Sequence, residues 1–346
     1  MNRQQLGKAA VAAALAVCAG SALAQRTSSN PALSTGATAA SQESHTYGPC
    51  RGLDPTCYHE WGAIGAASSV LIFSRTSGPR DSILGDPLPT GNNPAMNATN
   101  VAQAGLKRML TAAGITSTIT ENVGNLSNGS AKAIIFLSTS RDVLLDNGRY
   151  VTPSLAVSTS TSAYLDASKV NLRQYMRKGG GFVGIHQALG TEYNWFWFQG
   201  LLGGANMYDA APLQEATVQI AAADPSTAVI GPAGTTFKFT DNWYTLVPFP
   251  SNVKFLASIN DATMAGPVKK DVHPGHGAFR PVAWCHYYSG GRVWMTSMGG
   301  DPRAWADLSL PENQIGGANY LPGAAQFQAL LVAGIKSAMG LTAFCT

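Results

Sequence analysis

Arg177-Lys178-Gly179-Gly180-Gly181-Phe182-Val183-Gly184-Ile185-His186 decides how this chain is read. A glycine triplet closes a helix, a short apolar run makes a buried strand, and a histidine stands where that strand ends. In open α/β sheets, ligands bind outside the carboxyl ends of the strands. One segment therefore proposes both a fold class and a site, and the aromatic run Tyr193-Asn194-Trp195-Phe196-Trp197-Phe198 follows it at once.

On the amino-terminal side, strand and helix signals alternate. Val70-Leu71-Ile72-Phe73 reads as a buried strand, and Ala102, Leu106, Met109 and Ala113 recur at helical spacing before Gly114. Ile115 to Thr120 and Ala133 to Leu137 read as strands, and Leu165, Leu172 and Met176 mark a helix face ending at the glycine triplet. Alternation of this kind implies parallel strands joined by right-handed crossovers, hence a doubly wound α/β sheet with helices on both faces. After residue 205 the pattern changes to strands: Glu215 to Ile220, Thr236 to Phe239, Val253 to Ser258, Pro281 to Tyr288 and Arg292 to Thr296. These predict antiparallel strands added to the sheet in the C-terminal half. Phe327, Leu330, Leu331, Gly334, Ile335 and Ala338 form the apolar stripe of a last helix.

The first residues carry a different signal. Arg3 and Lys8 precede an uncharged apolar stretch, Ala9 to Ala19, and Ala22-Leu23-Ala24 forms a small-x-small pattern before Gln25. This predicts a signal peptide cleaved after Ala24 and an exported, periplasmic or secreted protein. A lipidated Cys18 is the competing reading, opposed by the bulk of Val17. No later run of about 18 uncharged apolar residues predicts a membrane span. Residues 26 to 47 are rich in Ser, Thr, Ala and Gly without periodicity, which gives a leader over 1–24, a flexible linker over 25–57 and one folded domain over 58–346.

Beyond the leader stand Cys50, Cys57, Cys285 and Cys345, an even number that points to disulfides in an oxidising compartment. Cys50 and Cys57 enclose a short loop with Gly52 and Pro55 and pair naturally; Cys285 with Cys345 is what remains by subtraction. A metal site on Cys50, Cys57 and His59 is the alternative, without zinc-knuckle spacing. Composition is 45% hydrophobic and 12% charged, with a net charge of +4. Lys and Arg are scattered, which argues against a nucleic-acid partner. Neither a P-loop nor a G-x-G-x-x-G turn is present, and no particular cofactor is indicated.

His186, exposed by the turn after its strand, is placed to act as general acid, general base or ligand. Its flanking Gly184 and Gly190 echo a nucleophile elbow, with His where Ser or Cys would stand. Glu192, Tyr193 and Trp195 lie just beyond it; at least two of the four aromatics from Trp195 to Phe198 belong in a core, since they cannot share one face. Asp241-Asn242-Trp243-Tyr244 places a carboxylate beside two aromatics, with Asp241 able to orient a histidine or bind a sugar hydroxyl, or simply to start a turn. His273-Pro274-Gly275-His276 is a histidine pair without an evident third ligand, read as an exposed loop rather than a metal site. Asp81 and Ser82 follow the first strand.

Phe136 to Leu144, Gly179 to His186, Gln214 to Val218, Asp241 to Tyr244, and Pro281 to His286 with Gly290 to Val293 resemble the ThuA-like (trehalose utilisation) family, from about Val70 to Gly340. The resemblance implies a flavodoxin-like sheet similar to class I glutamine amidotransferases, a sugar or disaccharide as ligand, and His186, Asp241, Trp243 and Tyr244 as pocket residues. It also marks departures. A family histidine is missing from Gly78-Pro79-Arg80-Asp81-Ser82-Ile83, Ala211 and Gly300 replace two more, and Asn242 stands for an acid. A site rebuilt from Asp81, Asp301 and the His273/His276 loop is one consequence. The expectation is an exported protein acting on a sugar or glycoside, with His186 as acid/base, Asp241 as its partner, and Glu192, Tyr193, Trp195, Trp243, Tyr244 and Asp81 about the ligand. A non-catalytic carbohydrate-binding or interaction protein is the alternative; a hydrolase of the amidotransferase type lacks its nucleophile.

Overall fold

The computed structural model describes residues 51–53, 64, 68–127, 130–144, 159–268, 273–310 and 321–346. The leader, Cys18, most of the linker, the Cys50–Cys57 pair and His59 lie outside these residues. Twelve strands are present among them: β1 (Arg51–Gly52), β2 (Ser69–Phe73), β3 (Thr116–Thr120), β4 (Ala133–Leu137), β5 (Gly181–Ile185), β6 (Met207–Ala210), β7 (Gln214–Ile220), β8 (Thr236–Asp241), β9 (Tyr244–Leu246), β10 (Lys254–Ile259), β11 (Arg280–Tyr288) and β12 (Gly291–Thr296). The α-helices are α1 (Val101–Ala112), α2 (Thr159–Arg177), α3 (Phe196–Leu201) and α4 (Ala324–Ala338).

The main sheet runs β3-β2-β4-β5-β12-β11-β10-β7-β8, with β1 added against β11. From β3 to β12 neighbouring strands are parallel, and from β12 to β8 they are antiparallel. This is the doubly wound parallel sheet with an antiparallel extension that the alternation predicts. The inner parallel strands β2, β4 and β5 are mostly apolar because both of their faces are covered, whereas the edge strand β3, Thr-Ser-Thr-Ile-Thr, is largely polar. Along β4, Ala133, Ile135 and Leu137 enter the core shared with α1 and α4, while Ile134 and Phe136 enter the core shared with α2 and α3. Cys285 and Cys345 form a disulfide that ties β11 to the C-terminus, as belongs to an oxidising compartment.

Two features depart from the sequence expectations. Arg51–Gly52, inside the stretch read as linker, pairs with Tyr287 and Tyr288, so strand pairing begins ahead of Tyr58. Two residues carry no periodicity to read. Residues Tyr244–Leu246, for which the sequence predicts no strand, pair with Met207–Ala210 as a separate two-stranded sheet. Among the four aromatics, Phe198 and Trp197 are buried, while Phe196 is 84% exposed.

Phe136 lies 5.1 Å from both Phe73 and Phe182 and 5.6 Å from Phe198, ring centre to ring centre. Fully buried at the centre of this cluster, it anchors β4 between β2 and β5. Phe136→Ala should cost about 3–5 kcal/mol, read as a lowered denaturant midpoint in equilibrium unfolding.

Candidate functional site

The site stands where the parallel strands end. Strand β5 finishes at Ile185, and His186 turns the chain with φ of +54°. At the end of neighbouring β4, Ser138 does the same with φ of +47°. Left-handed backbone at non-glycine residues is costly and is maintained only when the surroundings fix it. Here two adjacent strand ends aim their side chains at one carboxylate. Asp81 Oδ2 accepts a hydrogen bond from Ser138 Oγ at 2.9 Å and lies 3.1 Å from His186 Nε2. Its other oxygen accepts from the Ile83 amide and caps the short 3₁₀ turn Ser82–Leu84, which fixes the carboxylate in place.

His186 is 2% exposed. Its Nδ1 lies 2.8 Å from the Ser297 carbonyl, which only accepts, so Nδ1 carries a proton. Its Nε2 faces the Asp81 carboxylate and, at 2.9 Å, the Tyr244 hydroxyl, whose ring stacks on the imidazole at 4.8 Å. With Nδ1 protonated, Nε2 either accepts from the Tyr244 hydroxyl or carries a second proton facing Asp81, and the adjacent carboxylates favour the second state, the imidazolium. Burial opposes that charge, but the Asp81 hydrogen bond and the negative charges of Asp241 and Asp81 prevail and push the pKa up to about 9. Burial also works against ionisation of Asp81, yet its bonds to His186, Ile83 and Ser138 hold the carboxyl below its ordinary value.

Asp241 ends β8 and is fully buried. Its Oδ1 is 3.7 Å from His186 Nδ1, so it acts on the ring through charge, whereas Asp81 makes the direct contact. Its own hydrogen bonds come from three backbone amides: Gly299 at 2.6 Å, Gly300 at 3.1 Å and Asn242 at 2.7 Å. Burial pushes its pKa up to about 6 against those bonds and the His186 charge, which leaves it ionised at neutral pH.

The other residues singled out in the sequence fall into different places. Tyr244 joins the site directly, its carbonyl accepting from Arg280, a buried guanidinium that also holds Asp261 through both carboxylate oxygens. Burial and the Asp81 and Asp241 charges hold the Tyr244 phenol far above its ordinary pKa, so it stays neutral. Trp243 is a core residue whose Nε1 donates to the Gln214 carbonyl. Glu192 is buried, accepting from the Leu144 amide and pairing with Lys169 at 3.1 Å. Tyr193 donates to the Met207 carbonyl beneath Arg141. Trp195 stacks on Trp197 and is covered by the Lys169 ammonium. Asp301 pairs with Arg303, and His276 accepts from the Leu246 amide. Among the described residues, no group of three or more His, Cys, Asp or Glu is disposed to hold a metal ion.

The positions read in the sequence as departures from the family lie near one another. The Asn242 side chain donates to the Ala211 carbonyl. A Cβ at Gly300 would fall 2.6 and 2.7 Å from the His186 ring and 2.8 Å from Asp241, so no side chain fits there while these two hold their places. Sequence reading missed Ser138, Ser297 and Arg280. Ser138 carried a signal, a polar residue at the end of an apolar strand; a carbonyl such as that of Ser297 carries none.

Two outcomes follow for measurement. The raised pKa of His186 means that its contribution to stability is complete below its unfolded value near 6.5 and is lost as pH rises through 9. The stability difference between the native protein and His186→Gln should therefore shrink by about 3 kcal/mol between pH 6 and pH 10 in denaturant titrations. Gly300→Ala should displace the ring and lower the His186 pKa, read by NMR titration of the imidazole.

Residues 90–321, more than half of the chain, match the family described as ThuA, trehalose utilisation. No curated protein matches the sequence. Among solved structures, a ThuA-like protein from Parabacteroides merdae ATCC 43184 is 14% identical, with 80% of this chain and 90% of that one covered and a TM-score of 0.44. A cold-adapted β-galactosidase from Rahnella sp. R3 is 14% identical with a TM-score of 0.42; 80% of this chain aligns with only 32% of that one. PurLQS from Thermotoga maritima is 13% identical, covering 78% of this chain and 97% of that one, with a TM-score of 0.38. On the strength of the family match, the chain belongs to the ThuA (trehalose utilisation) family.

Proposed function

We propose that this protein acts on a sugar or glycoside outside the cytoplasm, with His186 as a proton donor working through Asp81. The observation that carries the reading is the buried imidazolium of His186, held between two carboxylates at the carboxyl end of the central strands. A histidine charged at neutral pH is poorly suited to begin as a base and well suited to begin as an acid. His186 itself is enclosed, while the Asp81 side chain is 14% exposed and shares the Nε2 proton. Asp81, a carboxylate at rest, is thus the group that meets the ligand: as a glycosidic C–O bond breaks, the Nε2 proton of His186 passes through Asp81 to the departing oxygen, water takes the sugar carbon, and the proton that water releases returns through Asp81 to the neutral His186. Asp241 keeps the imidazole charged, and Tyr244 holds it in orientation.

The same reading includes export. The leader ending at Ala24, the linker after it and the folded domain form the organisation we propose, with the Cys285–Cys345 disulfide consistent with an oxidising destination. A sealed histidine and an Ala211–Asn242–Gly300 corner stripped of family side chains favour a second reading, a carbohydrate-binding protein without turnover.

A panel of disaccharides and glycosides, trehalose included, tests the first reading by thermal shift and product analysis. Turnover should fall at least about 100-fold in both His186→Gln and Asp81→Asn. It should also decline above about pH 9, and that limb should move about one unit lower in Asp241→Asn, which removes a charge favouring the imidazolium. Turnover undiminished in His186→Gln would overturn the assignment; thermal stabilisation by a sugar with no product would establish the second reading instead.

A further inference from the structure

At the other end of the sheet, where the parallel strands begin, a cleft of about 420 Å³ opens beside α3. Tyr288 on this side pairs with Gly291, next to the start of β5, so the length of a five-residue strand, about 16 Å, separates this end from His186. Among the described residues, the only charged side chain lining the cleft is Arg51. Its guanidinium donates to the carbonyls of Gly203 and Ser251 and to Ser251 Oγ, and its buried Nε makes no hydrogen bond among the described residues. No carboxylate of the described residues pairs with it. His286, behind Tyr288, adds no charge: burial and the nearby Arg51 push its pKa down to about 3.

The cleft is built by two glycines. A Cβ at Gly204 would fall 2.5 Å from Arg51 Nη2, and one at Gly200 would fall 2.3 Å from the Tyr288 hydroxyl oxygen. Gly204 has φ of +79° and needs glycine for its backbone as well. Gly200 lies inside α3, where glycine costs about 1 kcal/mol relative to alanine, and no positive φ accounts for it. Its absent side chain gives room to the phenol. Around these polar groups stand two aromatic rings open to solvent, Phe196 at 84% and Phe249 at 42% exposure. Both rings line the cleft and give it an apolar rim.

From this arrangement we infer that the Arg51 cleft is a second ligand site, for a saccharide bearing a carboxylate, such as a terminal uronate. The guanidinium takes the carboxylate, the phenol of Tyr288 and the hydroxyl of Ser251 take ring hydroxyls, and the phenyl faces of Phe196 and Phe249 take the apolar C–H face of the sugar. The site is independent of the His186 chemistry.

Isothermal titration of the full-length protein with D-glucuronate, D-glucose and benzoate tests this. Glucuronate should bind at least tenfold more tightly than glucose or benzoate. Phe196→Ala, at a surface position, and Gly200→Ala should each weaken glucuronate at least tenfold, Arg51→Gln should abolish its binding, and His186→Gln should leave it unchanged. Circular dichroism of each variant separates lost binding from lost folding. Failure of glucuronate to bind, equal binding of glucose, or indifference to Phe196→Ala in the folded variant would overturn the site, and preference for benzoate would overturn the saccharide.

Discussion

A buried positive charge has to be met by buried negative charge, and the fold around His186 is arranged to satisfy that demand. The imidazolium ends the central strand, where no solvent reaches it. Its compensating carboxylates come from far apart in the sequence: Asp81 from the loop after β2 and Asp241 from the end of β8. Strand β8 is the outer strand of the antiparallel half, four strands away from β12 in the sheet order. For Asp241 to accept amides from Gly299 and Gly300, just after β12, the antiparallel half must curl back toward the central strands. The sheet's curvature and the charge state of one histidine are therefore coupled. Removing either carboxylate would leave an underpaired charge, which is the expensive case.

A second buried ion pair supports the first. Arg280 is fully buried and holds Asp261 through two hydrogen bonds while donating to the Tyr244 carbonyl and Thr245 hydroxyl. Asp261 in turn accepts the amides of His276 and Gly277. The histidine-containing loop is thus bound into the frame that carries Tyr244, which explains why His273 and His276 stand apart from the site. Burial, Arg280 and His273 push His276 down to about 4, so it is a neutral acceptor for the Leu246 amide at ordinary pH.

What was legible in the sequence was what depends on repetition. Val70–Phe73 and Ala133–Leu137 declare themselves as strands because both faces need apolar residues, and α1 and α4 because one face does. His186 was legible because its place at a strand end follows from the strand itself. The partnership was not. Asp81 and Asp241 are separated from His186 by 105 and 55 positions, and no local pattern says which carboxylate makes the closer contact. Trp243 and Tyr244 show the same limit: adjacent in sequence, one fills the core from the connection after β8 while the other opens β9 and meets the imidazole.

Gly300 and Gly200 show how an absent side chain can define a site. Neither has a positive φ, so backbone conformation does not demand glycine at either. At Gly300 the vacated space lets the His186 ring lie close to Asp241, and at Gly200 it lets the Tyr288 phenol reach the cleft. The glycine at position 300 therefore does more than shorten a side chain. It is a steric condition for the buried imidazolium, since a side chain there would occupy the volume of the His186 ring. Ala211 and Asn242, bonded to each other nearby, belong to the same rebuilt corner. A buried ion pair is by itself seldom better for stability than apolar packing, so the close hydrogen bonding and charge pairing of Asp81, His186, Asp241 and Tyr244 is the feature of this corner that packing alone does not call for.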